Sequence, residues 1–138
     1  MQQYLIGDLA KKTQLSTDSI RFYEKKQLIK PSFRAENNYK YYDEDTLKRL
    51  IFIKRCRALD ISLHEITELI ALTKQPKQDC LIVDHLIEQH IHQVEEKLNE
   101  LQKFKIQLQE LRQSCNSNTT VDHCNILKNL EMNTNKSD

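Results

Sequence analysis

Four cysteines are the most reactive side chains of this 138-residue sequence: Cys56, Cys80, Cys115 and Cys124. A deprotonated thiol is a nucleophile, a redox centre and a soft metal ligand. Three of the four bracket one long segment, with Cys80 just before it and Cys115 and Cys124 just after it. Three thiolates with few oxygen or nitrogen partners favour soft ions such as Cd(II), Pb(II) or Hg(II), whereas zinc usually completes a four-ligand set with Cys and His. His123, next to Cys124, and His90, within the long segment, are candidate fourth donors. His85 and His92 read as surface residues, as does His90 if it is not a ligand. Cys56 stands among Ile51, Phe52, Ile53 and Leu59, a setting for a packed thiol rather than a ligand.

A second set of residues is basic and aromatic. Residues 1–78 hold 15 Lys and Arg against 10 Asp and Glu, and residues 79–138 hold 6 against 10, so the overall charge of +1 conceals a basic front and an acidic back. A basic front half fits a polyanionic partner. One Gly and two Pro leave little material for a loop-built pocket, and there is no Gly-rich phosphate loop and no nucleophile–base arrangement. The sequence therefore reads as a non-enzyme. No apolar run reaches the roughly 18–20 residues of a membrane span, and the polar start is unlike a signal peptide. The expected location is the cytoplasm, with no membrane partner, where disulfides do not persist.

These groups must be positioned mostly by helices, since Lys, Glu, Gln, Leu and Ile dominate. Ile6, Leu9 and Ala10 have helical spacing up to Thr13. Ser16 then reads as the N-cap of a second helix running to about Lys26, and the two form a helix-turn-helix. Between Pro31 and Tyr42 helical periodicity is lost, and Asn37-Asn38 marks the turn of a small hairpin. A third helix starts at the Asp43–Asp45 cluster and carries Leu47, Leu50, Ile51, Ile53 and Ala58. A fourth starts from a capping box, Ser62 with Glu65. From Leu81 to about Gln113, Ile87, Ile91, Val94, Leu98, Leu101 and Leu108 form a heptad stripe with Lys105 at the missing core position. Such a helix would be roughly 50 Å long, and pairing with a second copy, antiparallel or parallel, would cover the stripe.

The runs Ile6-Gly7-Asp8-Leu9-Ala10, Thr17-Asp18-Ser19-Ile20-Arg21-Phe22-Tyr23-Glu24, Leu28-Ile29-Lys30-Pro31 and Asn38-Tyr39-Lys40-Tyr41-Tyr42 stand in the order and spacing of a known family. Together with Phe52 to Ile66 and the cysteine-bearing end, they make the chain resemble the MerR family of transcription regulators over nearly its whole length. The wing departs from many members, with Asn37-Asn38 where Gly is common and Lys40 where Arg is common. Asn tolerates left-handed backbone and Lys keeps the charge. Asp79-Cys80, Leu86 to Ile91, Leu108 to Cys115 and Cys56 to Asp60 look most like the cadmium/lead-responsive branch. Zinc-responsive relatives tend to have a Cys-Cys pair where Ser114-Cys115 stands.

The resemblance implies an all-α fold with a small β wing, a winged helix-turn-helix followed by a long antiparallel coiled-coil dimerisation helix. The expected division is residues 1–76 for DNA binding, 77–114 for dimerisation, 115–131 for a metal-binding loop and short terminal helix, and 132–138 for a disordered tail. The second helix would enter the major groove, with Ser16, Thr17, Ser19, Arg21 and Tyr23 as candidate contacts. Arg34, Tyr39 and Lys40 would act from the wing, and Lys11, Lys12, Lys25 and Lys26 would add phosphate attraction. Ile20 and Leu9 read as core, and Phe22 as core rather than contact. In an antiparallel homodimer Cys80 of one protomer would meet Cys115 and Cys124 of the other. The implied effector is Cd(II) or Pb(II), with Hg(II) or Zn(II) behind them, and the implied partners are promoter DNA and RNA polymerase. Three alternatives stay open: an Hg(II)-responsive regulator of the same family, whose mercury members share the three-cysteine arrangement, a thiol redox sensor on the same DNA-binding half, and a metal-buffering protein that binds no DNA sequence specifically.

Overall fold

A computed structural model describes residues 2–115 and 118–132. The expected tail therefore lies outside the described residues from 133 onward, while Met132 ends the last helix. The element order is α1 (Ile6–Thr13), α2 (Thr17–Lys25), β1 (Phe33–Arg34), β2 (Lys40–Tyr41), α3 (Glu44–Ala58), α4 (Leu63–Thr73), α5 (Leu81–Gln113) and α6 (Asn125–Met132), with a 3₁₀ turn at Val121–His123 before α6. The helical fold with a two-strand wing agrees with the sequence reading. The chain divides into two units, Met1–Leu86 and Ile87–Asp138.

In the first unit side chains satisfy backbone N–H groups at the helix starts. Ser16 Oγ accepts from Ser19 N–H, Asp43 Oδ1 from Thr46 N–H, and Ser62 Oγ from Glu65 N–H while Glu65 answers the Ser62 N–H. Asp8 accepts from Leu5 N–H at the start of α1. Leu9, Ile20, Leu50, Ile53 and Ile66 are fully buried, so α1 to α4 each contribute to one core. Cys56 is buried in that core, which pushes its thiol pKa up by desolvation and keeps it protonated, as expected of a packed thiol. Ala58, expected on the packed face of α3, is exposed.

The wing is an antiparallel pair with Phe33 opposite Tyr41 and Arg34 opposite Lys40. Its turn places Asn38 at φ 68°, the left-handed region that Asn tolerates better than most residues. Asn37 Oδ1 accepts from Tyr39 N–H and Asn38 Oδ1 from Arg34 Nη1 (2.8 Å), so both turn asparagines hold the hairpin. Stacked Phe33 and Tyr41 rings brace the strands. Two backbone bonds between Tyr4 and Tyr42 attach the wing's base to the start of the chain.

In the second unit, Ile91, Leu98, Leu101 and Leu108 of α5 are each more than half exposed, and Ile87 and Phe104 are exposed as well. The heptad stripe thus stands open within one chain. His90 is the buried residue of α5, which corrects the reading of it as a surface histidine. It lies three residues after Ile87 and four before Val94, beside the apolar stripe rather than opposite it. His85 and His92 are exposed as expected.

Candidate DNA-binding surface and cysteine site

The first unit gathers several of the sequence-predicted contacts. Arg21 in the middle of α2, and Asn38, Tyr39 and Lys40 of the wing, line one groove together with Leu5 and Gly7 of the first-helix region. Arg21 is exposed with its Nη1 3.4 Å from Asp18, Tyr39 is 60% exposed, and Arg34 is exposed at the wing. Ser16 is exposed but spends its hydroxyl on the cap and on Ser19 Oγ, and Thr17 and Ser19 are half-buried.

Tyr23 does not join this group. It is only 9% exposed, whereas Phe22 is 44% exposed, so the burial expected for these neighbours is exchanged. Ile20 and Tyr23, three residues apart, share the inward face of α2, and Phe22 falls outside it. Tyr23 therefore packs toward the core of the first unit, more buried than the sequence reading has it.

Lys40 is engaged within the chain. Its Nζ lies 2.5 Å from Glu24 Oε2, and Tyr42 donates its hydroxyl to Glu24 Oε1. Burial alone would raise the Glu24 pKa, but the hydrogen bonds from Lys40 and Tyr42 and the Lys40 charge outweigh it and hold the carboxyl below its ordinary value. Burial and the Glu24 carboxylate push Tyr42 well above the usual phenol range. Glu24 is thus the link between α2 and the wing. Sequence reasoning missed it, because its partners stand 16 and 18 residues away in the chain.

In the second unit, α6 returns to the end of α5 and brings Cys115 Sγ and Cys124 Sγ to 3.6 Å. Two sulfurs on one zinc-sized ion, at about 2.3 Å each and a tetrahedral angle, would stand roughly 3.8 Å apart. The pair is therefore already at chelating separation and fits a bound soft ion. Cys124 occupies the residue before α6, where the backbone N–H of Leu127 most of all, then the Cys115 thiol and the Ile126 N–H, favour its thiolate over the opposing effect of burial. Its pKa is lowered, the condition for ligation near neutral pH. Cys80 is exposed in the first unit. His123 is exposed, its Nε2 3.6 Å from Asp122 Oδ2. Among the described residues, no group of three or more Cys, His, Asp or Glu side chains converges within the single chain.

Residues 4–73 match the family model of the MerR HTH family regulatory protein, and residues 47–111 match that of MerR, DNA binding. The chain belongs to the MerR family. It is thus a DNA-binding regulatory protein, and the MerR relatives it matches are transcription regulators rather than enzymes. It is 42% identical over 125 residues to a probable heavy metal-dependent transcriptional regulator of Haemophilus influenzae, covering 91% of this chain and 97% of that protein. Over 131 residues it is 35% identical to the HTH-type transcriptional regulator ZntR of Escherichia coli strain K12, covering 93% and 92%. Among solved structures it resembles the transcription regulator PbrR691 of Ralstonia metallidurans CH34 in complex with lead(II), with TM-score 0.78, 41% identity, and 92% and 98% of the two chains covered.

Proposed function

We propose that this MerR-family protein is a cytoplasmic, homodimeric, metal-responsive regulator that binds promoter DNA and activates a metal-resistance promoter when Cd(II) or Pb(II) occupies Cys80, Cys115 and Cys124. The observation that carries the reading is the Cys115–Cys124 pair, 3.6 Å apart at the start of α6 with one thiol already biased toward thiolate. Cys80, exposed just before α5, would complete a three-thiolate site from the partner protomer. The likeness to a heavy metal-dependent regulator and to a lead(II) complex supports this choice of effector.

The open stripe on α5 supports the homodimer, because apolar side chains exposed at heptad spacing are covered by a second helix. The groove between α1, the middle of α2 and the wing supports DNA contact through Arg21, Tyr39 and Lys40, with Ser16, Thr17 and Ser19 at the start of α2 and Arg34 on the hairpin as further contacts outside it. A metal site at the ends of a paired helix would bias the relative placement of the two DNA-binding units. RNA polymerase would then meet a distorted promoter.

The test is binding of the purified dimer to its own promoter region during titration with Cd(II), Pb(II), Hg(II) and Zn(II), followed by in vitro transcription. Activation by Cd(II) or Pb(II) is expected, with loss when Cys80, Cys115 or Cys124 is replaced by Ser. Replacing His90 or His123 by Ala shows whether a histidine completes the site. Activation by Hg(II) or Zn(II) alone reassigns the effector, and specific DNA binding without any metal response overturns the sensor in favour of thiol redox control.

A further inference from the structure

Two hydrogen bonds outside the cysteines themselves tie the end of α5 to α6 beside the 3.6 Å approach of Cys115 and Cys124. Ser114 closes α5, its N–H donating to the Glu110 and Leu111 carbonyls and its hydroxyl to the Leu111 carbonyl (2.6 Å). The carbonyls at a helix end have no intrahelical partner. The Ser114 carbonyl is met by Asn125 Nδ2 (3.0 Å), and the Ser114 hydroxyl accepts from Asn129 Nδ2 (3.3 Å). Asn125 and Asn129 are one turn apart on the same face of α6, so the helix presents two amides to a single serine. Ser114 immediately precedes Cys115 and Asn125 immediately follows Cys124. Tying the first pair of neighbours together therefore sets the distance between the second pair.

We propose that Ser114, Asn125 and Asn129 are positioning residues that hold the two thiols at chelating separation before any ion arrives. This rests on the reading of Cys115 and Cys124 as metal ligands. Groups that orient ligands without touching the ion typically alter affinity by about 10- to 100-fold when removed. The serine is then not a vacant ligand position but the anchor of the loop.

The experiment compares the full-length wild type with Asn125→Ala/Asn129→Ala, Ser114→Ala and Ser114→Thr, using two readouts. The first is Cd(II) affinity, followed by thiolate-to-cadmium absorption without DNA. The second, on metal-free protein, is the rate at which oxidised glutathione drives Cys115 and Cys124 into one disulfide, mapped by peptide mass. The double variant is expected to bind Cd(II) about tenfold or more weakly and to pair its thiols several-fold more slowly. Ser114→Ala, which keeps the Asn125 bond, falls between, and Ser114→Thr, which keeps the hydroxyl, restores both. Should the double variant lose α6 by circular dichroism, Asn125→Ser replaces it, since serine favours a helix start but cannot reach Ser114. Wild-type affinity and wild-type pairing rate in these variants overturn the proposal. A wild type that takes up no Cd(II) removes the metal reading, and the pairing rates still decide whether the three residues position the thiols.

Discussion

The two kinds of cysteine illustrate how local environment assigns roles to one side chain. Cys56 is desolvated in the core and its thiol stays protonated, while Cys124 meets the N–H groups of α6 and shifts toward thiolate. Alkylation of the metal-free protein at pH 7 is therefore expected to modify Cys124 well before Cys56, as peptide mapping over time would show. The sign for pH follows from the lowered Cys124 value. Its contribution to holding α6 is fully present above the ordinary thiol range and is lost as pH falls through the lowered value, and alkylation should slow only as pH falls through that lowered value. Gly7 offers a second test. A Cβ added there meets nothing within 4 Å and its φ is not positive, so Gly7→Ala should raise stability by several tenths to about 1 kcal/mol in thermal unfolding. The cysteine spacing was legible from the sequence because ligand type is a property of the residue. The burial of Tyr23 and His90 was less so, because one helical position in either direction separates an inward from an outward side chain.

Between elements, Glu24 is the decisive joint. It receives Lys40 from β2 and Tyr42 just beyond it, so one carboxylate of α2 fixes the wing beside the helix it must work with. Glu24→Ala is expected to destabilise the first unit by about 1–3 kcal/mol, because it leaves two donors without their charged partner. Chemical denaturation of the full chain, followed by a probe in the wing, checks this. Since the Glu24 pKa is lowered, its stabilisation is complete above the ordinary carboxylate range and is lost as pH falls below it. Glu24→Gln should flatten the acid limb of the stability profile. Helix boundaries at this scale were readable from Ser16, Asp43 and Ser62, whose capping geometry is local. The Glu24 joint was not, since its partners lie 16 and 18 residues away.

For the whole molecule, the open stripe on α5 makes the assembly the controlling variable. Leu98 and Leu101 are each about 60% exposed in the single chain. If they form the dimer seam, Leu98→Glu/Leu101→Glu places charges where a partner helix would bury them. Sedimentation is expected to find a monomer, with promoter affinity reduced because two half-sites are no longer bound together. A dimer that survives this double substitution would move the seam elsewhere on the molecule.

The helix-turn-helix, the wing and the long helix are determined by the sequence on its own, because propensity, capping and periodicity act over a few residues. Tertiary structure alone decided that Tyr23 packs, that Glu24 ties the wing to α2, and that Ser114 with Asn125 and Asn129 closes the cysteine loop. Those outcomes depend on which elements come to lie against each other. A hydrogen bond between distant residues forms only after packing has brought donor and acceptor within about 3 Å, which no pattern of neighbouring residues encodes.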